Sequence, residues 1–339
     1  MADGQSGSDA KASGVQLTSI NPMKRFILTL LACGMLISLS ACNSATDSAD
    51  HAVEDHDEFW SHRYSMQPDI EYGDHPSQKL DLYLQGSWRG EPDYFEQVPD
   101  PRPTLLFIHG GGWVAGQKEG MEIFFLHFIE QGWNVVNMTY RLGADTAPEA
   151  VDDAVCALAW VASASHIYGF DREKIVVSGV SAGGHLALVT GILGSRPGHD
   201  CYVEDDFRVG AVINWFGITD IEAVDTFLDQ TMPDQNYARA WIGDEERVES
   251  ISNQYSPVAI VDSGSPPVIT IHGEDDSVVP YDQAVTFHAK LDELGIRNSL
   301  QSMPGGRHMG FTDDQFQQAW REIFRFLSDA GMEHAGMER

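Results

Sequence analysis

With 339 residues, 42% of them hydrophobic, the chain suits one large α/β domain or two small ones and can bury a substantial core. Its formal net charge of −30 repels a phosphate backbone, which excludes nucleic acid as a partner and disfavours a polyanionic substrate.

Residues 1–22 are polar and read as an upstream extension. Met23-Lys24-Arg25 then precedes an apolar run from Phe26 to Leu39 and the small residues Ser40-Ala41. A basic start, a short apolar stretch and a small-residue end predict a secretory signal peptide over 23–41, too short to serve as a membrane span. Leu39-Ser40-Ala41-Cys42 resembles the bacterial lipobox, whose cysteine is lipidated after cleavage; ordinary signal cleavage near Ala41 is the alternative. The expected location is the bacterial cell envelope, periplasm or outer membrane, with a lipid on Cys42 as the sole membrane contact, or the exterior if Cys42 carries none. Residues 42–66 are acidic and short of large apolar side chains, which reads as a flexible tether. A folded domain is expected over 67–331 and a tail over 332–339. Cys33 leaves with the signal peptide. Cys156 in a helical pattern and Cys201 in a loop remain, in a compartment that permits a disulfide; spacing alone does not decide whether they pair.

From Ile70 the pattern changes. Ile70-Glu71-Tyr72 and Leu80 to Leu84 alternate as strands around a turn at 73–77. Tyr94 to Pro103 reads as a loop. Thr104 to Ile108 is a continuous apolar strand that runs into His109-Gly110-Gly111-Gly112-Trp113. Met121 to Ile129 predicts a helix and Trp133 to Met138 another buried strand, followed by Tyr140-Arg141-Leu142. Pro148 opens a helix with Val151, Ala154, Val155, Leu158, Ala159 and Val161 on one face. Ile175 to Val177 is a short β-branched strand, and a helix-forming run starts at His185. Val209 to Trp215 predicts the next strand. Residues 218–257, polar with helical fragments, read as a short insertion after strand 6, placed over the sheet edge. Pro267 to Gly273 predicts a strand, Tyr281 to Gly295 a helix, Asn298 to Met303 a strand and Asp313 to Ala330 a terminal helix. Strands alternating with helices specify a mostly parallel central sheet with helices on both faces.

Between strand 175–177 and the helix after it lies Gly179-Val180-Ser181-Ala182-Gly183, the G-x-S-x-G pattern. In a strand-to-helix context this makes a strained turn that raises the serine hydroxyl above the sheet and sets the Ala182 N–H at a helix N-terminus. A helix merely capped by Ser181 is the bland alternative. A nucleophilic serine needs a base, and the base needs an orienting acid, in the order Ser, Asp or Glu, His. Past the strand ending at Gly273, Asp276 is the first choice of acid and Asp275 the alternative. His288 falls mid-helix and His334 in the tail. His308, in a loop after the last strand, is the expected base. An oxyanion would take N–H groups from Gly111, Gly112 and Ala182. His109 and His185 read as structural. Trp113 and Trp215 are candidates for the substrate pocket wall. No metal or cofactor is expected.

The stretches HGGGW at 109–113, Tyr140-Arg141-Leu142, GVSAGGHLAL at 179–188, HGEDDSVVP at 272–280 and GGRHMGF at 305–311 span most of the chain from about residue 67. Together they resemble the α/β-hydrolase fold, in the branch of the hormone-sensitive-lipase-like carboxylesterases. The compact bacterial members that include acetyl-xylan and feruloyl esterases are nearer still. The resemblance implies a serine esterase that cleaves short-chain or sugar-linked carboxylic esters without a cofactor. Two features depart from the family pattern: no long N-terminal cap precedes Thr104, and Arg307 stands where relatives often have a small residue. An amidase or peptidase using the same three residues is the competing enzyme class. A non-catalytic binding protein on this scaffold would be expected to lack one of the three.

Overall fold

The computed structural model describes residues 64–86, 100–194, 196, 199–201 and 207–332. The expected extension, signal peptide and Cys42, most of the tether and all but the first residue of the tail lie outside them. The strands are β1 (Tyr64–Glu71), β2 (Lys79–Gln85), β3 (Arg102–Ile108), β4 (Asn134–Met138), β5 (Phe170–Val180), β6 (Ala211–Trp215), β7 (Val268–Gly273) and β8 (Asn298–Met303). They form one eight-stranded sheet in the order β1-β2-β4-β3-β5-β6-β7-β8. β1 and β2 pair antiparallel with each other, β2 pairs antiparallel with β4, and every other pairing is parallel. β1 begins at Tyr64, inside the stretch read as tether.

The inner parallel strands β3, β4, β6 and β7 are buried on both faces, which is why they appear in the sequence as nearly unbroken apolar runs, whereas the edge strand β8 is half-buried and polar. In β3, Leu106 and Ile108 face one core while Leu105 and Phe107 face the other; all four are fully buried. The first core is covered by α2 (Glu149–Tyr168), α3 (Ala182–Leu193) and α8 (Asp282–Glu293), through residues such as Val151, Leu186 and Phe287. The second is covered by α1 (Leu126–Glu130) and α9 (Asp313–Asp329), through Phe128, Trp320 and Ile323. α9 starts with a capping box: Thr312 accepts from the Gln315 N–H, and the Gln315 side chain accepts from the Thr312 N–H. Among the described residues no helix is long and apolar enough to cross a membrane.

After β6 the chain forms α4 (Ile221–Thr231), α5 (Tyr237–Ile242), α6 (Val248–Tyr255) and α7 (Pro257–Ile260). This insertion does not lie over the sheet edge, as its polar composition suggested. The edges are β1 and β8. The insertion instead packs on the loops that leave β3 and β4. The N–H groups of Asp145 and Ala147 donate to the carbonyls of Ala240 and Trp241 at 3.0 and 3.1 Å. Its polar face conceals Val224, Leu228, Ala238, Trp241 and Ile242, all fully buried.

Cys156 of α2 is bonded to Cys201, which ties the segment after α3 back to the helix. Closing a loop of 45 residues removes entropy from the unfolded chain, a stabilisation of about 4 kcal/mol in the chain-entropy picture. A Cys156→Ser, Cys201→Ser double variant is therefore expected to melt roughly 10 °C lower by calorimetry. An unchanged Tm would show that the bridge constrains nothing the fold does not already hold.

Candidate active site

β5 ends at Val180 and α3 begins at Ala182, so the chain reverses within Ser181. Ser181 sits at φ 55° and ψ −122°, a conformation that L-residues with a side chain rarely adopt and that costs about 1–3 kcal/mol. Surrounding contacts hold it there. The Ser181 N–H donates to the Trp215 carbonyl at 2.9 Å, and the Ser181 carbonyl accepts from the His185 N–H at 3.1 Å. The flanking glycines are steric necessities: a Cβ on Gly179 would strike the Gly183 carbonyl, and one on Gly183 would strike the carbonyls of Ile108 and His109.

Two loops at the same end of the sheet bring partners to this serine. Past β7, Asp276 is folded into its own turn, its Oδ1 accepting from the N–H groups of Val278 at 2.8 Å and Val279 at 2.9 Å. Its Oδ2 accepts from Nδ1 of His308 at 2.7 Å. Nε2 of His308 then lies 3.0 Å from the Ser181 hydroxyl oxygen and, with Nδ1 protonated, is free to accept its proton. Asp275 points to solvent, and its N–H is spent on the Gly306 carbonyl. Of the two acids, the structure brings Asp276 to His308 and leaves Asp275 apart. Burial by itself would raise the Asp276 carboxyl. Hydrogen bonds from His272 and His308 and the backbone N–H groups outweigh that and hold it well below the usual carboxylate range.

Two supports were not read from the sequence. His272, fully buried, donates Nε2–H to the Val279 carbonyl at 2.9 Å and stands 3.4 Å from Asp276 Oδ2. Phe216, at φ 39°, sets its ring edge-on against His308 with centroids 4.8 Å apart. The first could be suspected from the His272–Asp276 spacing of four; the second has no signal beyond its place after β6. His288 is buried on α8 with Nδ1 against Asn298 Oδ1 at 2.7 Å and takes no part in the site.

The loop after β3 lies directly against the serine turn, since a Cβ on Gly110 would come within 3.2 Å of the Ser181 Cβ. Gly111 and Gly112 take φ values of 125° and 61°, and the Gly111 carbonyl accepts from the N–H groups of Val114 and Ala115 at 3.2 and 3.0 Å. His109 is buried and stacked on Tyr140, whose hydroxyl donates to the His109 carbonyl at 3.0 Å. His185 accepts at Nδ1 from the Trp113 indole N–H at 3.2 Å and donates from Nε2 to the Tyr255 carbonyl at 2.8 Å. Burial pushes both His109 and His185 down to about 4. Between an unfolded value of about 6.5 and that folded value, the unfolded chain binds protons that the folded chain refuses, so stability falls as pH falls through this window.

The structure corrects the reading of the two tryptophans as pocket walls. Trp113 is fully buried and stacked on Trp241 with centroids 4.6 Å apart, so it braces the glycine loop from behind. Trp215 is fully buried in the second core, edge-on to Phe124 and Trp320. Among the described residues no group of three or more His, Cys, Asp or Glu side chains is placed to hold a metal ion. The arrangement that remains is a serine hydroxyl, an imidazole oriented by a carboxylate, and a helix N-terminus beside a glycine loop. Such a set can activate an oxygen nucleophile and stabilise a tetrahedral oxyanion.

Among curated proteins, Esterase LipC of Mycobacterium tuberculosis is 29% identical over 260 residues, covering 73% of this chain and 60% of its own. The probable carboxylic ester hydrolase LipM of the same organism is 30% identical over 238 residues, covering 68% and 53%. The chain thus spans little more than half the length of these relatives. Among solved structures, the native esterase Est2 of Thermogutta terrifontis superimposes with a TM-score of 0.61 at 25% identity, covering 82% of this chain and 96% of Est2. Residues 94–291, which carry the glycine loop, the serine turn and Asp276, match the BD-FAE family. The chain has the α/β-hydrolase fold and belongs to that family.

Proposed function

We propose that this protein is a serine carboxylesterase. The observation that carries the reading is the unbroken relay from Asp276 through His308 to Ser181, at 2.7 and 3.0 Å, ending on a strained strand-to-helix turn. Ser181 Oγ attacks the ester carbonyl carbon while His308 Nε2 takes its proton. Asp276 keeps the imidazole in the tautomer with Nδ1–H and stabilises the imidazolium that forms. The carbonyl oxygen becomes an oxyanion stabilised by the Ala182 N–H at the start of α3 and by Gly111 and Gly112. Collapse expels the alcohol, which takes the proton back from His308. Water, deprotonated by His308, then cleaves the acyl-enzyme by the same route.

The acyl group is short in this proposal. Long chains need an extended apolar groove, and each CH₂ adds roughly 0.8 kcal/mol only where a groove receives it. The described residues carry no large cap before β3, and the insertion closes down on the glycine loop rather than forming an apolar lid. Est2 has been solved with propionate and with butyrate bound.

Attachment to the cell envelope through a lipid on Cys42 is part of the same proposal. The lipobox-like Leu39-Ser40-Ala41-Cys42 supports it, and the Cys156–Cys201 bridge fits an oxidising compartment.

Across p-nitrophenyl esters from acetyl to palmitoyl, kcat/KM should peak at acetyl to butyryl, and Ser181→Ala should lower kcat by on the order of 10⁴-fold in a folded protein. A rate rising steadily to palmitoyl removes the short-chain reading, and near-normal turnover in Ser181→Ala removes the mechanism. Asp276→Asn should cost orders of magnitude in kcat and Asp275→Asn little; the reverse ranking would reassign the acid. For the anchor, mass spectrometry of protein from membranes should find an acylated Cys42, and Cys42→Ser should release the protein. An unmodified Cys42 in membrane-extracted material would refute it.

A further inference from the structure

We infer that Tyr237 is a positioning residue for the proposed hydrolysis, holding the glycine loop and the acid loop at a fixed separation around Ser181; the inference rests on the esterase reading above. Tyr237 is the first residue of α5. Its Cβ occupies the space a side chain on Gly112 would need, 2.7 Å from where a Cβ would stand there, with its Cγ at 2.8 Å. The ring therefore lies flush on the backbone of the loop assigned to the oxyanion. Its other end reaches the acid loop, where the phenol O–H donates to the Val278 carbonyl at 3.2 Å. The N–H of that same residue donates to Asp276 Oδ1 at 2.8 Å. One rigid side chain thus spans the donors for the developing oxyanion and the carboxylate that orients the base.

The helix that carries Tyr237 is fixed by other means. Asn236 accepts from the Arg239 N–H at 2.9 Å and donates to the buried Asp225 carboxylate at 2.9 Å, and Arg239 pairs with the same carboxylate at 2.7 Å. At its far end Trp241 stacks on Trp113. Trimming Tyr237 should leave α5 seated and release only the two loops. The glycine loop has no side chain of its own at 111 or 112, and on the acid loop the Tyr237 hydroxyl adds a hold at Val278 to those made by His272, by His308 and by the Gly306 carbonyl. The constraint also explains the third glycine of the loop, since Gly112 leaves room for Tyr237 as well as adopting a φ of 61°.

The test compares full-length wild type, Tyr237→Phe, Tyr237→Ala and Ser181→Ala with p-nitrophenyl acetate, with Tm measured alongside. Removing the hydroxyl alone should lower kcat roughly fivefold with KM nearly unchanged. Removing the ring should lower kcat by on the order of 10²-fold, because small displacements of donors or base are costly in rate. Tyr237→Phe should thus recover most of what Tyr237→Ala loses, with Tm close to wild type in both. Wild-type kcat in both variants overturns the inference, as does a raised KM with unchanged kcat, which would make Tyr237 a substrate contact instead. If Tyr237→Ala does not fold, Tyr237→Phe decides alone, and its unchanged kcat overturns the inference. A Ser181→Ala protein that still turns over would refute the esterase reading itself, a different result from either.

Discussion

The site depends on how closely two backbones can approach. β5 passes into α3 through one residue, and the end of β3 lies against that passage. Side chains at Gly110, Gly179 or Gly183 would force them apart. That proximity sets the glycine loop directly against the serine turn at the start of α3. The strain at Ser181, about 1–3 kcal/mol, is small against the packing that enforces it. Val177, Leu186, Val189 and Val212 around the turn are all buried in one core.

Around this contact the polar groups are arranged so that none is left charged and alone. Asp276 is ionised inside the fold because three donors, from Val278, Val279 and His308, converge on its two oxygens, with His272 Nε2 a further 3.4 Å from one of them. His185 sits in apolar surroundings and stays neutral, which gives it one acceptor for Trp113 and one donor for Tyr255. The insertion after β6 is drawn into the same construction. Tyr255, Trp241 and Tyr237 come from three of its turns and reach respectively the helix after the serine, the tryptophan behind the glycine loop, and the acid loop. It is a brace over the strand ends more than a covering of the sheet.

What could be read from the chain follows from the range of the interactions involved. The buried parallel strands and the turn at Ser181 are local: an apolar run bounded by glycines, or a glycine two residues either side of a serine, states its own constraint. His308 and Asp276 could be placed because loops at the ends of parallel strands fall together. Asp276 ranks ahead of Asp275 in the sequence but is fixed only by which carboxylate the backbone of Val278 and Val279 turns toward. The insertion was misplaced because its polar composition hid a one-sided apolar face. Composition cannot distinguish a ring buried behind a loop, as Trp113 is, or inside a core, as Trp215 is, from one lining a pocket. The Cys156–Cys201 pairing stayed open for the same reason: a long-range contact leaves no mark on either neighbourhood. Tyr237 had no local signal at all.

The central claim is that Ser181, and no other hydroxyl, is the nucleophile. The direct measurement is to treat the folded protein with a p-nitrophenyl phosphonate, which traps an activated serine as a stable phosphonyl ester, and to map the adduct by peptide mass spectrometry. The account predicts one equivalent of label, on the peptide containing Ser181, with p-nitrophenol released in equal amount. Stoichiometric label on another residue, or no label in protein that hydrolyses p-nitrophenyl acetate, would contradict it.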